Sequence, residues 1–335
     1  MEKKLRIGLL GGGSWGTTVA SLTARNSPTI MWARDIRSVE DINKHHRNEK
    51  YLPGADLHES LKATTSIKEA VKDADVIIMG VPSHSFRHVL EEASPHIRPW
   101  VPIVSLTKGL EQGTRMRMTE IIGNLMPGHP AGILTGPNLA REIMAGQAAA
   151  AVIAMVDSNI ANALQKIFRS GLFRVYTNDD VIGCELGGAL KNVIAIAVGM
   201  GDGMGAGDNT RSAVITRGLA ELNRLGIEMG GKPTTFAGLA GMGDLIATCI
   251  SPLSRNRSVG VELGKGRSIE AIINDMSMVA EGVKTCSVVV DLAKQYNIEM
   301  PISTEVYKVV HEGNTAIDAF RGLLRHKIGS EADPG

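Results

Sequence analysis

Arg6-Ile7-Gly8-Leu9-Leu10-Gly11-Gly12-Gly13-Ser14-Trp15-Gly16 is the stretch on which the fold turns. It opens with a short apolar run of strand length. The glycines that follow fit G-x-G-x-x-G where a helix should open. Gly11 permits a tight turn, Gly13 lets the backbone approach a pyrophosphate, and Gly16 lets the helix lie close on the strand. Unpaired amides at the helix start then face the anion. In a chain with 38 glycines the pattern alone is weak and a purely structural turn would match it. Its position after the first strand of a β-α-β series points to a dinucleotide.

Apolar runs of similar length recur at residues 29–33, 76–81, 102–106, 132–135, 149–155 and 173–176. Most are too continuous for a half-exposed strand, which predicts strands buried on both faces of a largely parallel sheet. Helical patterns at 15–25, 67–72, 83–92 and 159–169 separate them. The class is α/β: residues 1–180 should form a Rossmann-type, doubly wound domain with right-handed crossovers. After about Asp180 the strand-like runs stop. Leu186, Leu190, Val193 and Ala197 recur at helical spacing, and so do Val288, Leu292 and Tyr296. Residues 181–328 are expected to be an all-helical second domain, and 329–335 a frayed polar tail.

The length of 335 residues suits two domains. Lys+Arg total 36 and Asp+Glu 35, so the net charge of +1 supplies no basic field for nucleic acid. Aromatic residues, at 4%, are too few for base-stacking platforms. Cys184, Cys249 and Cys286 are widely spaced, which fits neither a disulfide framework nor a zinc site and suggests a reducing, cytoplasmic setting. No uninterrupted run of about 18 apolar residues is seen, so no membrane span is expected. The basic N-terminus leads into an apolar stretch too short for a signal peptide.

Beyond the second strand stand Arg34 and Asp35. An arginine here suits a ribose 2′-phosphate and an acidic residue a free 2′-hydroxyl. Arg34 comes first, which favours NADPH; the alternative is that Asp35 binds the ribose of NAD, or that both cofactors serve. Within Glu185-Leu186-Gly187-Gly188-Ala189-Leu190-Lys191-Asn192, two glycines sit a helical turn before Lys191. They leave either an open surface beside a proton-donating lysine or a close helix contact with the lysine solvated. If a helix starts at Asp244, its carboxylate and the Thr248 hydroxyl share a face. Ser254-Arg255-Asn256 suits a phosphate monoester, or is a serine cap followed by surface residues. Lys108 and the Thr135-Gly136-Pro137-Asn138 turn follow strands, where ligands bind in open α/β sheets, or else are ordinary loops. His84 and His88 lack a third ligand and are taken as surface residues, so no metal is expected.

Taken in order, Gly13-Ser14-Trp15-Gly16-Thr17, Lys108-Gly109, Thr135-Gly136-Pro137, Gly188-Ala189-Leu190-Lys191-Asn192, Gly241-Met242-Gly243-Asp244-Leu245, Ser254-Arg255-Asn256 and Glu281-Gly282 resemble the bacterial-type NAD(P)-dependent glycerol-3-phosphate dehydrogenases. The resemblance implies reversible reduction of dihydroxyacetone phosphate to sn-glycerol 3-phosphate, a phospholipid precursor. It implies that Lys191 donates the proton, with Lys108, Asn192, Asp244 and Thr248 around the reacting oxygens. Arg255 and Asn256 would hold the phosphate, with Gly136, Asn138 and Ser254 nearby. Gly11, Gly13, Ser14, Trp15, Gly16, Arg34, Lys108, Ala140, Arg255, Val279 and Glu281 would border NADP or NAD. Two positions depart from the family's usual pattern: Asp35 stands where a second basic residue is common, and Asn138 where serine is.

The residues alone leave two rivals. One is a related two-domain dehydrogenase of a 3-hydroxy acid or sugar acid, since Ser254-Arg255-Asn256 does not separate carboxylate from phosphate. The other is a non-catalytic dinucleotide sensor, which would not need Lys191 with Asp244. A homodimer is the default assembly.

Overall fold

The computed structural model describes residues 4–276 and 280–325. Val279 and the 329–335 tail lie outside the described residues. The chain divides into two compact units, one made of residues up to Thr107 with Arg117–Val181, the other of Lys108–Met116 with the chain from Ile182 on. The sequence reading did not separate Lys108–Met116 from its neighbours. That segment joins the helical unit because Leu110 is part of its core and Lys108 bonds to Asp244.

The first unit holds an eight-stranded sheet: β1 (Ile7–Leu10), β2 (Thr29–Trp32), β3 (Lys62–Thr64), β4 (Val76–Met79), β5 (Ile103–Ser105), β6 (Ala131–Thr135), β7 (Ala149–Met155) and β8 (Phe173–Asn178). The spatial order is β3-β2-β1-β4-β5-β6-β7-β8. All neighbours run parallel except β6 and β7, which are antiparallel. Strands β1 and β4 are buried at every residue, as their unbroken apolar runs require. The order reverses between them, with Leu10 opposite Met79. In doubly wound sheets that switch point is where a ligand binds, beyond the carboxyl ends of the strands. The crossings carry α1 (Ser14–Ala24), α2 (Ile36–His45), α3 (Ile67–Val71), α4 (Ser83–Ala93), α5 (Met118–Leu125), α6 (Ala140–Met144) and α7 (Ser158–Phe168). His84 and His88 are exposed on α4.

The second unit is built round α8 (Val181–Gly203). Leu186, Leu190, Val193 and Ala197 are buried on it, but so are the residues between them. A helix apolar on all sides belongs inside a bundle. It packs among α9 (Asp208–Glu228), α10 (Pro233–Phe236), α11 (Asp244–Ile250), α12 (Arg255–Gly264), α13 (Ile269–Asp275), α14 (Glu281–Gln295), α15 (Pro301–His311) and α16 (Ala316–Arg325). Its core includes Leu245, Val259, Val288, Leu292 and Val306. As expected from the sequence, no run of about 18 residues is uninterruptedly apolar in α8, since Glu185 and Lys191 break it. By length and mean hydropathy alone, α8 is still the one single helix among the described residues that could cross a membrane. The most apolar stretch of α8 is 89% buried inside the molecule, so its apolar surface is already covered.

Candidate active site

The glycine-rich turn of the first unit is shaped by contacts that only glycine allows. Gly11 has φ +131°, and a Cβ there would lie 2.4 Å from the Gly80 carbonyl oxygen. A Cβ on Gly16 would lie 2.2 Å from the Gly11 carbonyl oxygen. Gly13, the residue before α1, has nothing within 4 Å of a Cβ position. Two glycines therefore lock turn, strand and helix together, while the third leaves an open backbone face at the amides of α1. That is the cradle a pyrophosphate needs. Ser14 Oγ donates to the Tyr51 carbonyl at 2.7 Å, and Trp15 lies edge-on to Phe173.

Among the described residues, several buried polar atoms of this unit have no hydrogen-bond partner: Trp15 Nε1, Thr135 Oγ1, and both Oδ1 and Nδ2 of Asn138. Buried polar groups are nearly always satisfied, so these atoms are open to bonds from a bound ligand or from water. Gly136 is buried between Thr135 and Asn138, and Ala140 opens α6. The residues present fit a nicotinamide dinucleotide.

Past β2, Arg34 is exposed. Asp35 caps α2 by accepting from the Arg37 amide at 3.0 Å, and it accepts from Lys50 Nζ at 2.9 Å. The Lys50 bond, with the Arg37 amide second, holds its carboxyl below the usual carboxylate range. Asp35 is thus committed to a cap and an ion pair. Through this bond Lys50 places a basic side chain beside position 35. Sequence reasoning missed Lys50 because α2 separates it from Arg34, and the chain turns back only at left-handed His46.

The second unit gathers the reactive side chains. Lys191 Nζ donates to Asp244 Oδ1 at 2.5 Å and to Thr248 Oγ1 at 2.5 Å. Lys108 Nζ donates to the other carboxylate oxygen, Asp244 Oδ2, at 2.7 Å. Asp244 opens α11, and Thr248, one turn on, donates back to its carbonyl at 2.6 Å. Lys191 and Asp244 are only 5% and 2% exposed in their side chains, whereas Lys108 retains 16%. Burial pulls the Lys191 ammonium down to about 8; Asp244 opposes this and Lys108 adds to it. Two lysines facing one carboxylate make a setting that favours an anion or a developing alkoxide. The neighbouring Cys249 thiol is pushed up to about 12 by burial, so it is no nucleophile.

Of the two possibilities at Gly187, close packing is what occurs. A Cβ there would lie 2.6 Å from the Ala240 carbonyl oxygen, in the 239–243 turn that leads into Asp244. The glycine lets this turn approach α8 closely enough for Asp244 to reach Lys191. Lys191 is buried rather than solvated.

A second chain of bonds wires the elements of this unit. Asn192 Nδ2 donates to the Lys108 carbonyl at 3.0 Å, Asn256 Nδ2 to Asn192 Oδ1 at 2.9 Å, and the Gly282 amide to Asn256 Oδ1 at 2.9 Å. Asn192 and Asn256 therefore fix the Lys108 segment, α8, α12 and α14 to one another, a role that their sequence motifs did not disclose. Ser254 is the cap of α12: its Oγ accepts from the Arg257 amide at 3.3 Å. Arg255 follows it, exposed, and Glu281 opens α14 half-buried.

Two family models match the chain. Residues 6–161 match the N-terminal part of NAD-dependent glycerol-3-phosphate dehydrogenase and residues 180–321 its C-terminal part. A protein of Sphingopyxis alaskensis, named as a glycerol-3-phosphate dehydrogenase for NAD(P)+, is 65% identical over 332 residues, covering 99% of this chain and 100% of that protein. One of Mycobacterium avium with the same activity in its name is 56% identical over 328 residues, covering 97% and 96%. The crystal structure of glycerol-3-phosphate dehydrogenase from Coxiella burnetii superposes with a TM-score of 0.92 at 36% identity, covering 96% of this chain and 99% of that one.

Proposed function

The chain belongs to the NAD-dependent glycerol-3-phosphate dehydrogenase family, and on that premise we propose that it catalyses the reversible reduction of dihydroxyacetone phosphate to sn-glycerol 3-phosphate with NADPH or NADH. The observation that carries this is the buried Lys191–Asp244–Lys108 cluster, an acid–base group with its charge partners already in place.

When bound, the dinucleotide supplies the hydride in reduction and takes it up in oxidation. Gly13, Ser14 and Trp15 at the start of α1, with Arg34, Lys50 and Ala140, would hold it. Lys191 has three ammonium donors and spends two on Asp244 and Thr248, which leaves one for the substrate oxygen. In reduction that N–H gives its proton to the oxygen as negative charge develops there. In oxidation the neutral amine takes the hydroxyl proton. Lys108, held on the opposite carboxylate oxygen, adds positive charge that stabilises the same oxygen. Arg255 and the remaining hydrogen of the Asn256 amide would anchor the phosphate, so that binding energy at the unreactive end orients the carbonyl. The product would feed phospholipid synthesis. Three buried free thiols accord with a reducing cytoplasm, and a homodimer would be visible by sedimentation.

The direct test is oxidation of NADPH and NADH in parallel assays with dihydroxyacetone phosphate. Oxidation is expected with both, faster with NADPH at low concentration. Replacing Arg34 and Lys50 together by alanine should raise the NADPH KM at least about tenfold, the loss of charge-assisted contacts to a phosphate, and leave the NADH KM nearly unchanged. Equal changes for the two cofactors would reassign the pair. Arg255→Ala should raise the KM for dihydroxyacetone phosphate roughly 10- to 100-fold while sparing the slow rate on phosphate-free dihydroxyacetone. Equal losses on both substrates would remove Arg255 from the phosphate.

A further inference from the structure

Asp202 lies in the last turn of α8, its side chain only 8% exposed, between two arginines from different helices. Its Oδ1 accepts from Arg211 Nε at 3.0 Å and Nη2 at 2.8 Å. Its Oδ2 accepts from Arg257 Nε at 2.8 Å and pairs with Arg257 Nη2 at 2.7 Å. In each pair two guanidinium nitrogens converge on one carboxylate oxygen, so Asp202 commits one oxygen to each arginine with charge-assisted contacts. Arg211 stands in the first turn of α9, where it also pairs with Asp208. Arg257 stands in the first turn of α12, two residues after Arg255 and next to Asn256.

The helices joined by this clamp touch backbone to backbone. A Cβ on Gly199 would lie 2.1 Å from the Arg257 carbonyl oxygen, and one on Gly260 2.1 Å from the Ile196 carbonyl oxygen. A turn further along, a Cβ on Gly203 would lie 2.2 Å from the Val261 carbonyl oxygen. Close contact fixes how near α12 comes to α8, but a smooth backbone surface resists sliding poorly. The Asn192–Asn256 bond pins α12 to α8 at one point, and Asp202's hold on Arg257 adds a second, which together set the register of the first turn of α12 along α8. The middle of α8 carries Lys191, eleven residues or about 16 Å away along the axis.

We propose that Asp202 is a positioning residue: through Arg257 it sets where Arg255 and Asn256 present themselves relative to Lys191, and so sets the affinity for the phosphate end of the substrate without touching it. This rests on the assignment of the phosphate to Arg255 and Asn256 made above. A shift of about 1 Å in a positioning group can cost up to 10²-fold, so a measurable effect is expected at this distance.

The test uses the intact enzyme and first requires wild-type turnover of dihydroxyacetone phosphate; its absence would overturn the proposed function, on which the positioning role depends. Given turnover, Asp202→Asn should raise the KM for dihydroxyacetone phosphate about tenfold, leave kcat within about twofold, and leave the rate on dihydroxyacetone unchanged. Arg257→Lys, which keeps charge and bulk but loses the fork, should give the same split with a smaller amplitude. Arg211→Lys, on the α9 side of the clamp, should leave that KM unaltered. Asp202→Glu should restore part of the lost affinity. An unchanged KM in folded Asp202→Asn or Arg257→Lys protein would overturn the proposal. So would equal effects of Arg211→Lys and Arg257→Lys. Unfolding of both the Asp202→Asn and Arg257→Lys proteins would also overturn it, since the clamp would then serve stability rather than register.

Discussion

Replacing Lys191 by alanine is expected to lower turnover by about 10²–10⁴-fold, the range for loss of a positioned acid–base group, with dinucleotide binding retained. The basis is the environment of the ammonium. Burial draws it down to about 8, while Asp244 keeps it from falling further. A group with that value is mostly protonated at neutral pH, yet gives up its proton far more readily than an exposed lysine. The sign of the pH dependence follows. Reduction needs the ammonium, so its rate should fall about tenfold per pH unit above the Lys191 value. Oxidation needs the free amine, so its rate should rise over the same range and level off above it. The alanine protein should lose this limb from both directions. Near-normal turnover from a folded variant would remove Lys191 from the chemistry.

Asp244→Asn should be nearly as damaging and in a different way. The carboxylate accepts from both Lys191 and Lys108, one on each oxygen. Removing its charge takes away the carboxylate that Lys191 faces beside Lys108, and breaking one partner out of a buried pair typically costs about 3–5 kcal/mol. The Lys191 value should fall below its present position, moving the limb of the reduction profile to lower pH. At neutral pH reduction would then be slow because the lysine is neutral, and acidification should recover part of the rate. Stability should change in the opposite sense. A lysine depressed in the folded state penalises folding most at pH values below its folded pKa, and the penalty fades as pH rises toward the unfolded value of 10.5. Thermal melts at about pH 6 and about pH 9 should therefore show a larger loss, relative to wild type, at the lower pH. A loss independent of pH would mean that Asp244 acts through packing rather than charge.

Much of the α/β class was legible because burial on both faces writes unbroken apolar runs, and β1 and β4 carry them. β3 was missed since three residues, one of them an exposed lysine, make no pattern. The reversal at β7 was invisible too, for strand direction is set by the connection and not by composition. Helix α2 was overlooked although its cap, Asp35, was in view as a possible ribose ligand. At the site, residue types at motif spacing pointed to Lys191, Asp244 and Thr248, and α11 sets Asp244 and Thr248 one turn apart. Lys50 and the Asn192–Asn256–Gly282 chain depend on contacts between distant segments, which no local spacing records. The two meanings of Gly187 could be separated only by seeing what its missing Cβ would strike.

The most direct measurement is the initial rate of dihydroxyacetone phosphate reduction by the wild-type protein with NADPH, followed through loss of the reduced nicotinamide absorbance across a pH series. The expected result is ready turnover at neutral pH that declines about tenfold per unit above about pH 8, with the limb absent in Lys191→Ala. A rate flat through that range, or no oxidation of either cofactor by folded protein that binds dinucleotide, would contradict it.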